Sequence, residues 1–105
     1  MTVWFVSRHP GAVAWAKSEG LPVDHWVEHL RPEEMKAGDV VLGTLPVGLA
    51  SEVCARGARF FSLTLDLTPE ARGKELDLSA VRAFRGRLEE FVVTRRPGSV
   101  LLCRS

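Results

Sequence analysis

The sequence contains no apolar run near the ~20 residues that span a bilayer, so no membrane helix is expected. Cysteine is scarce. Cys54 and Cys103 are the only two. They form no CxxC pair and have no histidine at zinc-site spacing, which argues against a zinc module and a disulfide framework. Both are expected to behave as small buried apolar residues. An excess of charge of one sign is also missing. The 14 basic and 13 acidic side chains leave a formal net charge of +1. No global basic surface of the kind that grips long nucleic acid is therefore expected. A small anionic ligand stays open, because it needs only a local patch. The opening MTVWFV has no basic segment ahead of its apolar one and reads as a first strand rather than a signal peptide. With two isolated cysteines, this suits a reducing cytoplasm. Repeats, low-complexity tracts and linkers are absent as well.

What is present is one domain's worth of core. The chain has 105 residues, 46% of them hydrophobic, which suits a single domain over 1–105 with 95–105 as its tail. Val3 to Val6 is a short, β-branched and aromatic run of the type found in strands covered on both faces. Pro10 opens a helix that carries Ala12, Val13 and Ala16 at helical spacing and stops at Gly20. Val23 to Leu30 reads as a second strand, with Val23, His25 and Val27 on one face. Arg31 to Gly38 reads as a loop or a single helical turn. Val40 to Leu42 is a third strand. Leu49, Ala50, Val53 and Cys54 mark a helix closed by Gly57, and Phe60 to Leu65 is a fourth strand. A polar connection, Thr68 to Asp77, follows. Leu78, Val81, Phe84, Leu88, Phe91 and Val92 predict the longest helix, capped by Ser79 or Asp77. Val100 to Cys103 is an apolar tail, an edge strand or a late-docking segment. Strands alternating with helices predict an α/β fold, a mostly parallel sheet flanked by helices on both faces. Right-handed crossovers then place the strand C-termini on one edge, where such folds bind ligands.

Three segments fall just after strands and are expected to meet on that edge. The first is Ser7, Arg8, His9, Pro10 and Gly11. A helix N-terminus favours an anion, Arg8 adds charge-assisted bonds, Ser7 can donate, and His9 can move a proton near neutral pH. The same residues also suit an ordinary solvated turn, and only their place on the ligand edge favours function. The second segment is Gly43, Thr44, Leu45 and Pro46. There glycine allows close backbone approach, and Thr44 can cap a helix or bond a ligand. The third is Asp66, with the basic loop around Arg72 beyond it as a cover for an anion or a plain solvated loop. His25 and His29 stand four apart, but in a strand context and without HExxH, so no metal site is expected. Trp4, Trp15 and Trp26 read as core or interface residues.

Arg8-His9 with Gly11 partly matches the Arg-His-Gly signature of histidine phosphatases, but Pro10 interrupts it. That family also uses a second histidine and more arginines in a longer domain. A closer likeness comes from three segments in order: FVSRHPGAVAWA, GDVVLGTLPVGLASEVCARGARFFSLTLDL and EARGKEL. Together, from Val3 to about Val92, they resemble the CRISPR-associated Csx family numbered sixteen, also called the VVA family. The resemblance implies a Rossmann-like fold related to CARF domains, the sensors of cyclic oligoadenylate. It implies a ring nuclease that degrades cyclic tetra-adenylate and so switches off type III CRISPR signalling, working as a homodimer with no metal or cofactor. By position and chemistry, Ser7, Arg8 and His9 are the candidate catalytic residues. Pro10, Gly11, Gly43, Thr44, Leu45, Pro46, Asp66 and Arg72 are the candidate binding residues. A binding-only sponge and a small-phosphoester phosphatase are the alternatives.

Overall fold

A computed structural model describes residues 1–71, 77–98 and 100–101. The elements run β1 (Val3–Val6), α1 (Pro10–Ser18), β2 (His25–Val27), β3 (Val40–Gly43), α2 (Val47–Ala55), β4 (Arg59–Thr64), α3 (Leu78–Ala83) and β5 (Arg87–Phe91). Single 3₁₀ turns at Pro32–Glu34 and Pro69–Ala71 punctuate the connections. The five strands form one sheet in the order β2-β1-β3-β4-β5, with the first four parallel and β5 antiparallel to β4. The expected parallel-rich α/β architecture is present, and it is Rossmann-like.

Period-two alternation in the strands feeds two apolar layers. Val3, Phe5 and Leu42 face α1 and α3, packing with Ala12, Trp15, Ala16 and Val81. Val6, Val41 and Phe60 face α2 and the first 3₁₀ turn, packing with Leu30, Met35, Ala50 and Val53. Both sides of the sheet are thus covered, which explains why β1 and β3 read as continuous apolar runs rather than as alternation.

Two sequence expectations are corrected. The second strand is His25–Val27, not Val23 to Leu30. Asp24 bends the chain before it, and its carboxylate accepts the Val3 amide at 2.8 Å, while Leu30 turns inward to the core. The long helix through Val92 is instead the short α3 followed by β5. Arg85 adopts φ 59°, and a Cβ on Gly86 would stand 2.5 Å from Val81 Cγ1, so the chain turns tightly under the helix instead of extending it. Leu88 then lies opposite Leu63 on β4 rather than on a helical stripe. Between the two candidate caps, Asp77 is the one used: its Oδ1 accepts the Ala80 amide at 2.8 Å. In the tail, Val100 and Leu101 are exposed, and Cys103 lies outside the described residues. Among the described residues no helix is long and apolar enough to cross a membrane.

Candidate functional site

Strand order 2-1-3 makes β1 and β3 neighbours whose following helices depart to opposite faces: α1 over one layer, α2 over the other. Such a divergence leaves a crevice at the carboxyl ends of the strands, the usual ligand position in open α/β sheets. Two features pin the crevice. The Thr44 amide donates to the Val6 carbonyl at 3.0 Å, joining the ends of β1 and β3. Gly43 has φ 118°, and any Cβ there would run into the Val6 carbonyl. Only glycine lets the two strand ends meet this closely.

A cavity of about 440 Å³ opens at this point. Ser7, Arg8 and His9 line it from the turn after β1, and Thr44, Leu45 and Pro46 from the turn after β3. Sequence segments more than thirty positions apart are therefore brought together at the rim. Ser7 is buried, and its Oγ accepts the His9 amide at 3.0 Å, which fixes the turn. His9 itself occupies the N-cap position of α1 without a side-chain capping bond, and the Ala12 and Val13 amides donate to its carbonyl. Its ring is thus not consumed by capping. Pro10 stands in the first turn of α1, where its missing N–H costs nothing, and buried Gly11 follows.

The ionisable lining residues that the sequence did not mark as site residues are Glu28 and His29, from the exit of β2. The signal that could have found them is the parallel register of β1 and β2, in which Val6 stands beside Val27. A second cavity, also about 440 Å³, lies on the α1 side of the same turn. It shares Ser7, Arg8, His9 and Glu28 with the first and adds Pro10, Lys17 and Trp26. The Ser7–His9 turn is thus a partition with a cavity on either side. The Lys17 ammonium sits 5.1 Å from the Trp26 ring centroid and brings a further cation to the second cavity.

The remaining candidates lie elsewhere. Asp66 follows β4 as expected, but its carboxylate pairs with Arg87 at 3.1 Å and Arg85 at 3.8 Å and lines neither cavity. Arg72 lies outside the described residues. His25 stacks on Trp4, with ring centroids 4.3 Å apart, rather than pairing with His29. Among the described residues, no group of three or more His, Cys, Asp or Glu side chains is gathered for a metal. A larger groove of about 720 Å³ runs between α2 and the chain after β5. Its lining mixes aliphatic residues with Ser51, Glu52, Cys54, Thr94 and Arg95 and has no imidazole, whereas the β1/β3 rim brings two.

Fold and rim together define a small doubly wound α/β domain whose switch-point crevice carries two imidazoles, a guanidinium and a carboxylate. More particularly, the chain belongs to the family described as "Putative CRISPR-associated protein (Cas_VVA1548)", whose family model matches residues 4–94. No curated protein and no solved structure gives a match.

Proposed function

We propose that this CRISPR-associated protein is a ring nuclease that opens cyclic oligoadenylate, cyclic tetra-adenylate in the first place, and thereby ends type III CRISPR signalling. The observation that carries the reading is the convergence of Arg8, His9 and the Thr44–Pro46 turn on one cavity at the β1/β3 switch point. The substrate class comes from the sequence resemblance to ring nucleases related to CARF domains, and membership of a CRISPR-associated family is consistent with it.

The chemistry follows from what the substrate carries. A ribose 2′-oxygen attacks its own adjacent phosphorus in line. The bond from phosphorus to the 5′-oxygen breaks, and a 2′,3′-cyclic phosphate remains at one end of a linear product. The protein's tasks are to hold the ribose in line, to stabilise charge on the phosphoryl oxygens, and to move two protons. Arg8 serves the second task, because guanidinium binds phosphate with charge-assisted, bidentate bonds. His9 serves the third, and Thr44 positions ribose or phosphate. The reaction requires no metal or other cofactor.

A cavity of about 440 Å³ suits one portion of the ring rather than all four nucleotides. Two rims related by a two-fold axis match the symmetry of a tetra-adenylate ring, so the working unit is a homodimer.

Incubation with labelled cyclic tri-, tetra- and hexa-adenylate in EDTA, read by chromatography, tests the reading. Linear products with cyclic phosphate ends are expected. Tight binding without product would make the protein a sponge, and release of inorganic phosphate would make it a phosphatase. Either result would overturn the reading.

A further inference from the structure

The proposed cleavage needs two proton transfers, and the rim as read from the sequence supplies one imidazole. We propose that His29 is the second proton-transfer residue, working with His9 across the scissile phosphate; this role rests on the ring-nuclease reading.

Strands β1 and β2 are parallel and in register, Val6 beside Val27, and the ladder runs one step further through the Ser7 amide, which donates to the Val27 carbonyl at 3.1 Å. Neighbouring parallel strands lie ~4.8 Å apart, so the two chains leave the sheet side by side. Two residues beyond that last ladder bond, the chain from β1 reaches His9 and the chain from β2 reaches His29. Both line the same cavity, and both residues are exposed. The other charged groups facing this space are Arg8, from the same turn as His9, and Glu28, from the same exit as His29. The Thr44–Pro46 turn and α2 contribute no charged group to its wall.

The balance of the reaction favours a second imidazole over the Glu28 carboxylate. The 2′-hydroxyl proton must pass to a base as the oxygen bonds to phosphorus. The departing 5′-oxygen must receive a proton as its bond to phosphorus breaks. A carboxylate at neutral pH can accept a proton but carries none to give. Imidazole does either near neutrality, so two of them complete the cycle, one taking a proton and the other giving one.

The test is the pH dependence of single-turnover cleavage of cyclic tetra-adenylate by the parent protein, His9→Ala and His29→Ala. The parent should give a bell-shaped profile. Each variant should lose one limb of the bell, and the two should lose opposite limbs, with rates reduced roughly 10²–10⁴-fold. Binding of the ring, measured by titration, should stay within a few-fold of the parent. Added imidazole should restore part of the rate to His29→Ala, an effect that a structural role for His29 would not produce. A parent that cleaves, alongside a His29→Ala variant that keeps both limbs and the parental rate, overturns the role of His29 and leaves the ring-nuclease reading standing. Loss of the same limb in both variants also overturns that role. A parent that cleaves no cyclic oligoadenylate overturns both.

Discussion

A guanidinium stays charged at any working pH, so in the proposed ring nuclease the task of Arg8 is to bind phosphate and steady the charge that builds on it. Arg8→Ala should therefore weaken affinity for cyclic tetra-adenylate and slow cleavage together. His9 is different, since an imidazole earns its place through proton transfer. His9→Ala should keep most of the affinity while the single-turnover rate falls by roughly 10²–10⁴. Equilibrium titration beside quenched-flow rates separates the two, and a His9→Ala variant that cleaves at the parental rate would reduce His9 to a turn residue. Gly43 carries the crevice in a purely geometric way. Its φ of 118° and its approach to the Val6 carbonyl leave no place for a side chain. The dihedral strain in Gly43→Ala alone is worth about 1–3 kcal/mol, and the collision adds to it. Chemical denaturation should show at least that loss, and the surviving fold should bind anions less well because the ends of β1 and β3 are forced apart.

At the level of elements, the β4–β5 pair is the part that depends most on charge. Arg59 grips Glu90 through two bonds of 2.7 and 2.9 Å, on the diagonal from Glu90's direct partner Phe61. Those bonds, joined by the attraction of the guanidinium, hold the Glu90 carboxyl below its ordinary range. A carboxyl with a lowered folded-state pKa stabilises the fold at pH values above its unfolded pKa, and the contribution fades as pH falls through the folded one. Parent and Glu90→Gln should thus differ in stability at neutral pH and converge below about pH 4, where carboxyls protonate. Denaturation midpoints across that range check it, and the difference should shrink with added salt, because both side chains are exposed.

The same region shows what the sequence could and could not convey. Strands β1, β3 and β4 and helices α1 and α2 were legible because their apolar residues serve one period each and are bounded by Pro or Gly. Between Leu78 and Val92 two periods overlap. Leu88 fits both a helical stripe and a strand alternation; Gly86 is the local breaker, yet it does not say that Arg85 before it takes the left-handed turn. The Ser7–Gly11 and Gly43–Pro46 turns could be placed on one edge from topology alone. Glu28 and His29 could not, because that requires knowing which strand pairs with β1 and in what register.

For the whole molecule, the proposed ligand, a ring of four nucleotides, needs more room than one cavity of about 440 Å³, so it should itself report on assembly. Light scattering should show a dimer in the presence of cyclic tetra-adenylate, and monomer alone under all conditions would contradict a shared site. The sheet around that rim is unevenly secured. Strand β2 has three residues, lies at the edge and pairs with β1 alone, while β1 and β3 are each flanked on both sides. Its supports are the β1 ladder, the Asp24 carboxylate on the Val3 amide, the His25 ring against Trp4, the Phe5 and Lys17 contacts to the Trp26 ring, and Val27 packed on the core edge. In hydrogen-exchange terms, such a strand opens at a lower free-energy cost than the global unfolding that frees Val41 or Phe5. Amides of His25–Val27 should exchange well ahead of those in β3, and a ligand seated against Glu28 and His29 should slow them. One wall of the crevice then behaves as a separately opening unit, so ligand affinity carries the cost of holding that wall closed.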